Sequence, residues 1–320
     1  LRGLGAWALV FQYLTNAVID TVFLWFTVKW RPKFLFSLQR AKFLFSYGGK
    51  LLFSSLLSEI SIEIKSAVIG KVYTSADLAY YTKGKQFPQI INTNVNESIS
   101  SVLFPVLANV QDSEQLLKNY MARVIKIAAF ILFPLQLGLL AVAPSFVSVI
   151  LTDKWLGCVP YLRIMCLSFL STPIFTANQQ VMKAMRNSGW VLRISFINSF
   201  AGIAIVFLTI PFGVEAVAWG AVTVAFFVTA ISATVVGKLI NYGLIEQLKD
   251  LFPTILLSVS MTVFVMLIGM LPINKTLLLI LQILFGASYY FVMARIVKVD
   301  SYFYIVSYVR EKMKRRNGNA

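Results

Sequence analysis

Apolar and polar positions alternate along this chain on the scale of whole helices rather than of single turns. Runs of some twenty mainly apolar residues recur, broken by short polar stretches, and roughly that length is what a helix needs to cross the hydrocarbon core of a bilayer. Setting the runs against the loop signals predicts nine spans, at about 4–28, 44–70, 86–108, 121–143, 160–183, 191–211, 214–237, 251–271 and 276–296. The connections between them are too short to hold a soluble domain. Lys29 to Lys42 is a basic loop with Pro32 in it. Thr74 to Asp77 has the T-x-x-D spacing of a capping box, which predicts a short interfacial helix starting there, and Asp112 to Gln115 repeats that logic before the fourth span. Small residues and a tryptophan open both the first span (Gly5 to Val10) and the seventh (Gly213 to Val222). An echo six spans apart is the kind of weak symmetry that transporters built from repeated halves show.

Composition narrows the class. The chain is 58% hydrophobic and 13% charged with a mean hydropathy of +0.77, whereas soluble domains run near about 45–50% and about 25%. There is no histidine, so imidazole bases, imidazole metal ligands and histidine pH switches are all excluded. Cys158 and Cys166 have neither metal-ligand nor redox spacing and read as small apolar helix residues. The net charge of +16 would suggest nucleic acid in a soluble protein, but its distribution points to a membrane. If the loop after the first span is cytoplasmic and sides alternate from there, 20 basic residues fall inside and seven outside, with Lys50 and Lys65 within a span. That asymmetry satisfies the positive-inside rule and predicts a cytoplasmic C-terminus. The tail from residue 300, aromatic first and basic after, reads either as an interfacial helix on anionic headgroups or as a plain basic tail. The sequence opens at Leu1 inside an apolar run, without the features of a signal peptide, so the chain is expected to continue something longer.

Ionisable groups inside a span are costly and so mark functional candidates. The second span is the richest: Ser55, Glu59, Glu63 and Ser66 share one helical face, with Ser54, Ser58, Ser61 and Lys65 adjoining. Glu63 and Lys65 lie two apart and point away from each other, so each needs water or a partner on another helix. The third span adds Gln89, Asn92, Asn94, Asn96, Glu97, Ser100 and Ser101, and the fourth adds Gln136. In the fifth, Thr172, Thr176, Gln179 and Lys183 follow helical spacing, with Pro173 able to bend it. Spans six to nine are nearly free of such groups and are expected to be scaffold. Each lone amide or hydroxyl has helix–helix hydrogen bonding as its ordinary role. Glu59, Glu63, Lys65 and Glu97 point to a solvated translocation path. No catalytic constellation, phosphate-cradling glycine loop or metal cluster is visible, so no enzyme and no cofactor are expected.

Residues 45–112 resemble the central segment of the lipopolysaccharide/O-antigen exporters, the Wzx-like polysaccharide flippases of the MATE-like multidrug/oligosaccharidyl-lipid/polysaccharide (MOP) exporter superfamily. The resemblance rests on Ser75, Leu78, Tyr80, Tyr81 and Gly84, on Gln86-Phe87 and on Phe104-Pro105-Val106-Leu107. Asp153-Lys154-Trp155, Val159-Pro160-Tyr161-Leu162 and Gly5 to Val10 extend it, and it covers residues 1 to about 250. It implies an all-α polytopic membrane protein with a MATE/MOP-like helical bundle, in which the nine spans are the sixth to fourteenth helices of a 14-helix exporter. Residues 1–43 are then the last helix of the N-terminal lobe and a basic inter-lobe loop, and 44–240 a six-helix C-terminal lobe. Residues 241–299 are two accessory helices and 300–320 a basic cytoplasmic tail.

The activity so implied is export of an undecaprenyl-diphosphate-linked oligosaccharide across the bacterial cytoplasmic membrane, by alternating access coupled to an ion gradient. Lipid-linked oligosaccharide, membrane lipids and other polysaccharide-assembly proteins are the implied partners, and nucleic acid is not. Lys50, Lys65, Asn94, Asn96, Gln136, Thr176 and Gln179 are the substrate-cavity candidates, the lysines for the diphosphate. Glu59, Glu63 and Glu97 are the ion-coupling candidates. A drug or small-cation exporter of the same superfamily would share the fold, but suits a cavity of acids and aromatics without Lys65. A polysaccharide-assembly membrane enzyme would need a large outer loop, and none is present.

Overall fold

In the computed structural model the described residues are 6–28, 37–110 and 113–307, with the side chains of some residues in α1, α2 and α3 left aside. Among them the regular structure is helical throughout. The elements are α1 (Ala6–Thr27), α2 (Leu38–Val72), α3 (Ser75–Asn109), α4 (Glu114–Ile150), α5 (Val159–Phe169), α6 (Thr172–Ala184), α7 (Ser188–Thr209), α8 (Val214–Ile240), α9 (Leu244–Ile268) and α10 (Lys275–Ile296). A short 3-10 helix, Asp153–Cys158, precedes α5, and residues 300–307 are helical again. The chain divides into two units, Leu1–Ser46 and Tyr47–Ala320. The first holds α1, whose described side chains are all exposed and mainly apolar. Everything below concerns the second.

Among the described residues, six helical stretches are long and apolar enough to cross a membrane: Glu114–Ile150, Asp153–Ala184, Ser188–Phe212, Val214–Ile240, Leu244–Ile268 and Lys275–Ile296. They coincide with the fourth to ninth expected spans. α2 and α3, at 35 residues each, are not among them; the serines, asparagines and carboxylates already noted dilute their apolar content. α4 is the axis of the bundle. In its most apolar window 56% of residues are buried, against 28% for α7, so α4 packs on several sides while α7 turns an open face outward. Gln136 and the apolar residues around it on α4 are buried against α3, α5, α6, α9 and α10.

Three expectations need correction. The capping box at Thr74 and Asp77 is present, the threonine oxygen accepting from Asp77 N–H at 3.2 Å and Asp77 from Thr74 N–H at 3.2 Å. The helix it starts is not short, however: α3 runs straight on through the third span, Pro88 and Pro105 included. Before α4 the cap is Ser113, accepting from Leu116 N–H, one residue beyond Asp112, which lies outside the described residues. The fifth span is two helices, α5 and α6, interrupted at Leu170 and Ser171, with Pro173 in the first turn of α6 where its missing N–H costs nothing.

Two segments singled out by the sequence resemblance meet in one joint. Tyr80 packs edge-on to Trp155 at 6.1 Å and Tyr81 to Tyr161 at 6.0 Å. Between them Gly84 lets α3 lie directly on α5, since a Cβ there would stand 2.6 Å from the Tyr161 Cβ and 2.8 Å from the Leu162 nitrogen. Midway along α6 a buried polar tie joins three helices. The Asn178 amide donates to Ser232 Oγ at 3.0 Å and the Gln247 amide donates back to Asn178 Oδ1 at 3.1 Å. Gln247 also donates to the Tyr242 carbonyl at 2.9 Å. The Tyr242 hydroxyl, in the turn between α8 and α9, donates to Asp250 at 2.7 Å. Burial, with the carboxylate accepting from it, pushes this phenol's pKa well up.

Candidate functional site

α6 carries the polar face to which the sequence spacing pointed, and in the structure that face turns inward. Thr176 and Gln179 are buried and Lys183, a further turn on, is half-buried. Opposite stand Asn96 and Ser100 of α3, Ser55 of α2, and Ser195 and Asn198 of α7. Together they line a cavity of about 470 Å3, completed by Gln180 and a few apolar side chains. The Thr176 hydroxyl donates to Asn96 Oδ1, which ties α6 to α3 across the cavity floor. Gln179 Oε1 is buried without a hydrogen-bond partner among the described residues. A buried amide oxygen left unpaired costs roughly 1–3 kcal/mol, a cost that a bound hydroxyl donor would remove. Among the described residues the lining holds a lysine and no carboxylate. Chemically it is a set of amides and hydroxyls around one cation, able to give and accept many hydrogen bonds.

A second group of charges lies along α2 and α3, nearer the turn that joins them. The Lys65 and Lys85 ammonium groups are half-buried and feel each other's charge, and Lys85 also feels Glu59 and Glu63. Lys65 reaches α7 where Gly202 leaves room for it, and Ser61 beside it donates to the Ser199 carbonyl at 3.3 Å. Glu59 and Glu63 are exposed and so open to water.

The remaining candidates are dispersed. Gln136 is fully buried on α4 and donates to the Pro88 carbonyl at 2.9 Å, its own Oε1 unpartnered among the described residues. Asn94 is exposed, its amide folded back onto the Ile90 carbonyl at 2.8 Å. It lines a different, mainly apolar groove of about 700 Å3 with Arg123 and Tyr304. Glu97 is exposed. The Lys50 side chain lies outside the described ones.

Of the residues that the sequence singled out, Asn96, Thr176, Gln179 and Lys183 come together in the first cavity, while Lys85, Ser195 and Asn198 were not singled out. Lys85 sits just before a span and was read as a loop charge. Ser195 and Asn198 fall in the sixth span, expected to be scaffold; their i, i+3 spacing in an otherwise apolar run is the signal that marks them. Spans six to nine, read as nearly free of such groups, do bury Ser199, Ser232 and Gln282, and Gln247 is buried just before the eighth.

Against known proteins, the family described as "Polysaccharide biosynthesis protein" matches residues 1–160. The teichuronic acid biosynthesis protein TuaB of Bacillus subtilis is 28% identical over 156 residues, covering 49% of this chain and 32% of TuaB. The lipopolysaccharide biosynthesis protein WzxC of Escherichia coli is 26% identical over 159 residues, 49% of this chain and 32% of WzxC. The succinoglycan biosynthesis transport protein ExoT of Rhizobium meliloti is 25% identical over 168 residues, 52% of this chain and 34% of ExoT. The matches thus span about a third of the length of these relatives. Among solved structures, the lipid II flippase MurJ in an inward closed conformation superposes with a TM-score of 0.68 at 16% identity, over 84% of this chain and 57% of MurJ. That likeness is one of fold.

Proposed function

Because this chain belongs to the polysaccharide biosynthesis protein family, we propose that it forms part of a flippase that carries an undecaprenyl-diphosphate-linked oligosaccharide from the inner to the outer leaflet of the bacterial cytoplasmic membrane. The observation that carries this reading is the cavity between α2, α3, α6 and α7, lined among the described residues by amides, hydroxyls and Lys183 and by no carboxylate. Sugar hydroxyls are both donors and acceptors, and so are Asn, Gln, Ser and Thr side chains. A wall of this kind replaces the water that a sugar must shed at membrane depth. A lone lysine suits an anionic sugar or the diphosphate and repels a cationic drug, which weighs against the drug-exporter reading.

The charged cluster on α2 and α3 supports a division of labour. Lys65, joined by Lys85, is placed to meet a diphosphate as point charges. Glu59 and Glu63, open to water beside those lysines, are the acids that would take up a coupling proton or cation. The C-terminal tail on the basic side is cytoplasmic in this reading, which the 20-to-seven charge split supports.

The test uses the full-length protein and a strain whose surface polymer depends on it. Gln179→Leu and Lys183→Gln should each lower surface polymer and flipping of a labelled lipid-linked oligosaccharide in vesicles by roughly tenfold or more, the loss expected for one or two hydrogen bonds to a polar substrate. Membrane abundance and melting temperature should stay near wild type. Normal export by both variants, at normal abundance, would remove the cavity from the substrate path.

A further inference from the structure

A second polar cavity, of about 230 Å3, lies apart from the one described above. It sits where α9 begins and α10 ends, at the level where both apolar spans give way to charged residues. Three lysines from three elements line it: Lys126 of α4, Lys249 of α9 and Lys298 just beyond α10. Asp250 and Asp300 share the wall. Asp250 is already engaged, paired with Lys126 at 3.2 Å and accepting from Tyr242 at 2.7 Å. Lys249, Lys298 and Asp300 have no ion-pair partner among the described residues, and they leave one positive charge in excess.

Two hydroxyls point to what would fill the space. Thr254 and Ser301 are 2% and 4% exposed, both line the cavity, and neither hydroxyl makes a hydrogen bond among the described residues. A hydroxyl can donate as well as accept, so two with no bond of their own beside unpaired lysines mark a place for an acceptor. Lys298 also holds a positive φ of 55°, a conformation that costs a non-glycine residue about 1 kcal/mol or more. That turn brings Lys298, Asp300 and Ser301 to the cavity together.

We propose that this cavity binds the phosphate of a monoanionic phospholipid headgroup at the membrane surface. One phosphodiester charge neutralises the excess lysine, and its oxygens accept from Thr254 and Ser301. The acyl chains remain in the bilayer against the exposed apolar faces of α9 and α10, which carry Phe252, Leu256 and Ile296. A free phosphate offers the same oxygens but no chains to hold it at that boundary.

The full-length protein is delipidated and mixed with phosphatidylglycerol or phosphatidylcholine, and bound lipid is counted by native mass spectrometry. One tightly held phosphatidylglycerol and no comparably held phosphatidylcholine are expected. Lys249→Gln/Lys298→Gln should weaken retention roughly 30-fold, from about 1 kcal/mol per lysine near the surface. Thr254→Val/Ser301→Ala, which leaves every charge in place and guards against misfolding of the first variant, should weaken it several-fold. Unchanged retention in both variants, or equal retention of both lipids, overturns the proposal. Protection against melting by inorganic phosphate without any lipid retention would overturn the lipid assignment and leave a site for the free anion.

Discussion

Lys65 holds its ammonium against α7 only because residue 202 is glycine. A Cβ there would come within 2.8 Å of the Lys65 nitrogen and 3.1 Å of its Cε. Since those atoms are the far end of a flexible side chain, Gly202→Ala should move the charge and leave the helices in place. If Lys65 meets the diphosphate, this variant and Lys65→Ala should lower oligosaccharide flipping by similar factors, roughly tenfold or more for a lost charge-assisted hydrogen bond, with unchanged melting. Wild-type export by Lys65→Ala would end the diphosphate assignment. At the same scale, Glu63→Gln should abolish the dependence of flipping on an imposed ion gradient. Gradient-driven transport that persists in that variant removes Glu63 from the coupling.

At the scale of elements, α3 is fixed by its two ends and by the glycine between them. Gly84→Val should be the most damaging change in this region, because the atoms it would strike are Tyr161 Cβ and the backbone of α5, which cannot swing aside. The expected outcome is loss of folded protein in detergent extracts, while Thr74→Ala at the cap should cost only about 1 kcal/mol. Here the sequence was most legible. Apolar runs located the helices, and the T-x-x-D spacing located the start of α3. The 3.6-residue period put Thr176, Gln179 and Lys183 on one face. It could not show that the interfacial piece and the third span fuse into one helix, because a polar surface turn and a polar cavity wall have the same composition. Nor could it show that α7 turns Ser195 and Asn198 toward α6. That depends on how helices pack, and the pairing of Asn178 with Gln247, 69 residues away, leaves no trace in local spacing.

Within the unit Tyr47–Ala320, α9 is joined to α4 by packing and to α6 and α8 by the Asn178–Ser232–Gln247 tie. Gln247→Leu should destabilise this unit by about 1–3 kcal/mol in denaturant titrations, because Asn178 Oδ1 is left buried without the donor it accepts from. Adding Asn178→Leu should restore part of that loss, since removing both partners removes the unpaired group; a purely additive double variant would show that the two amides do not act together. Both cysteines of the chain, Cys158 and Cys166, are buried within the bundle. To water-soluble thiol reagents, residues 1–320 therefore offer a dark background. A single cysteine placed at Ser195 or Asn198 would be the one bright spot on it. Its rate of labelling from each side of the membrane would then read, without any sugar substrate, which leaflet the cavity faces at a given moment.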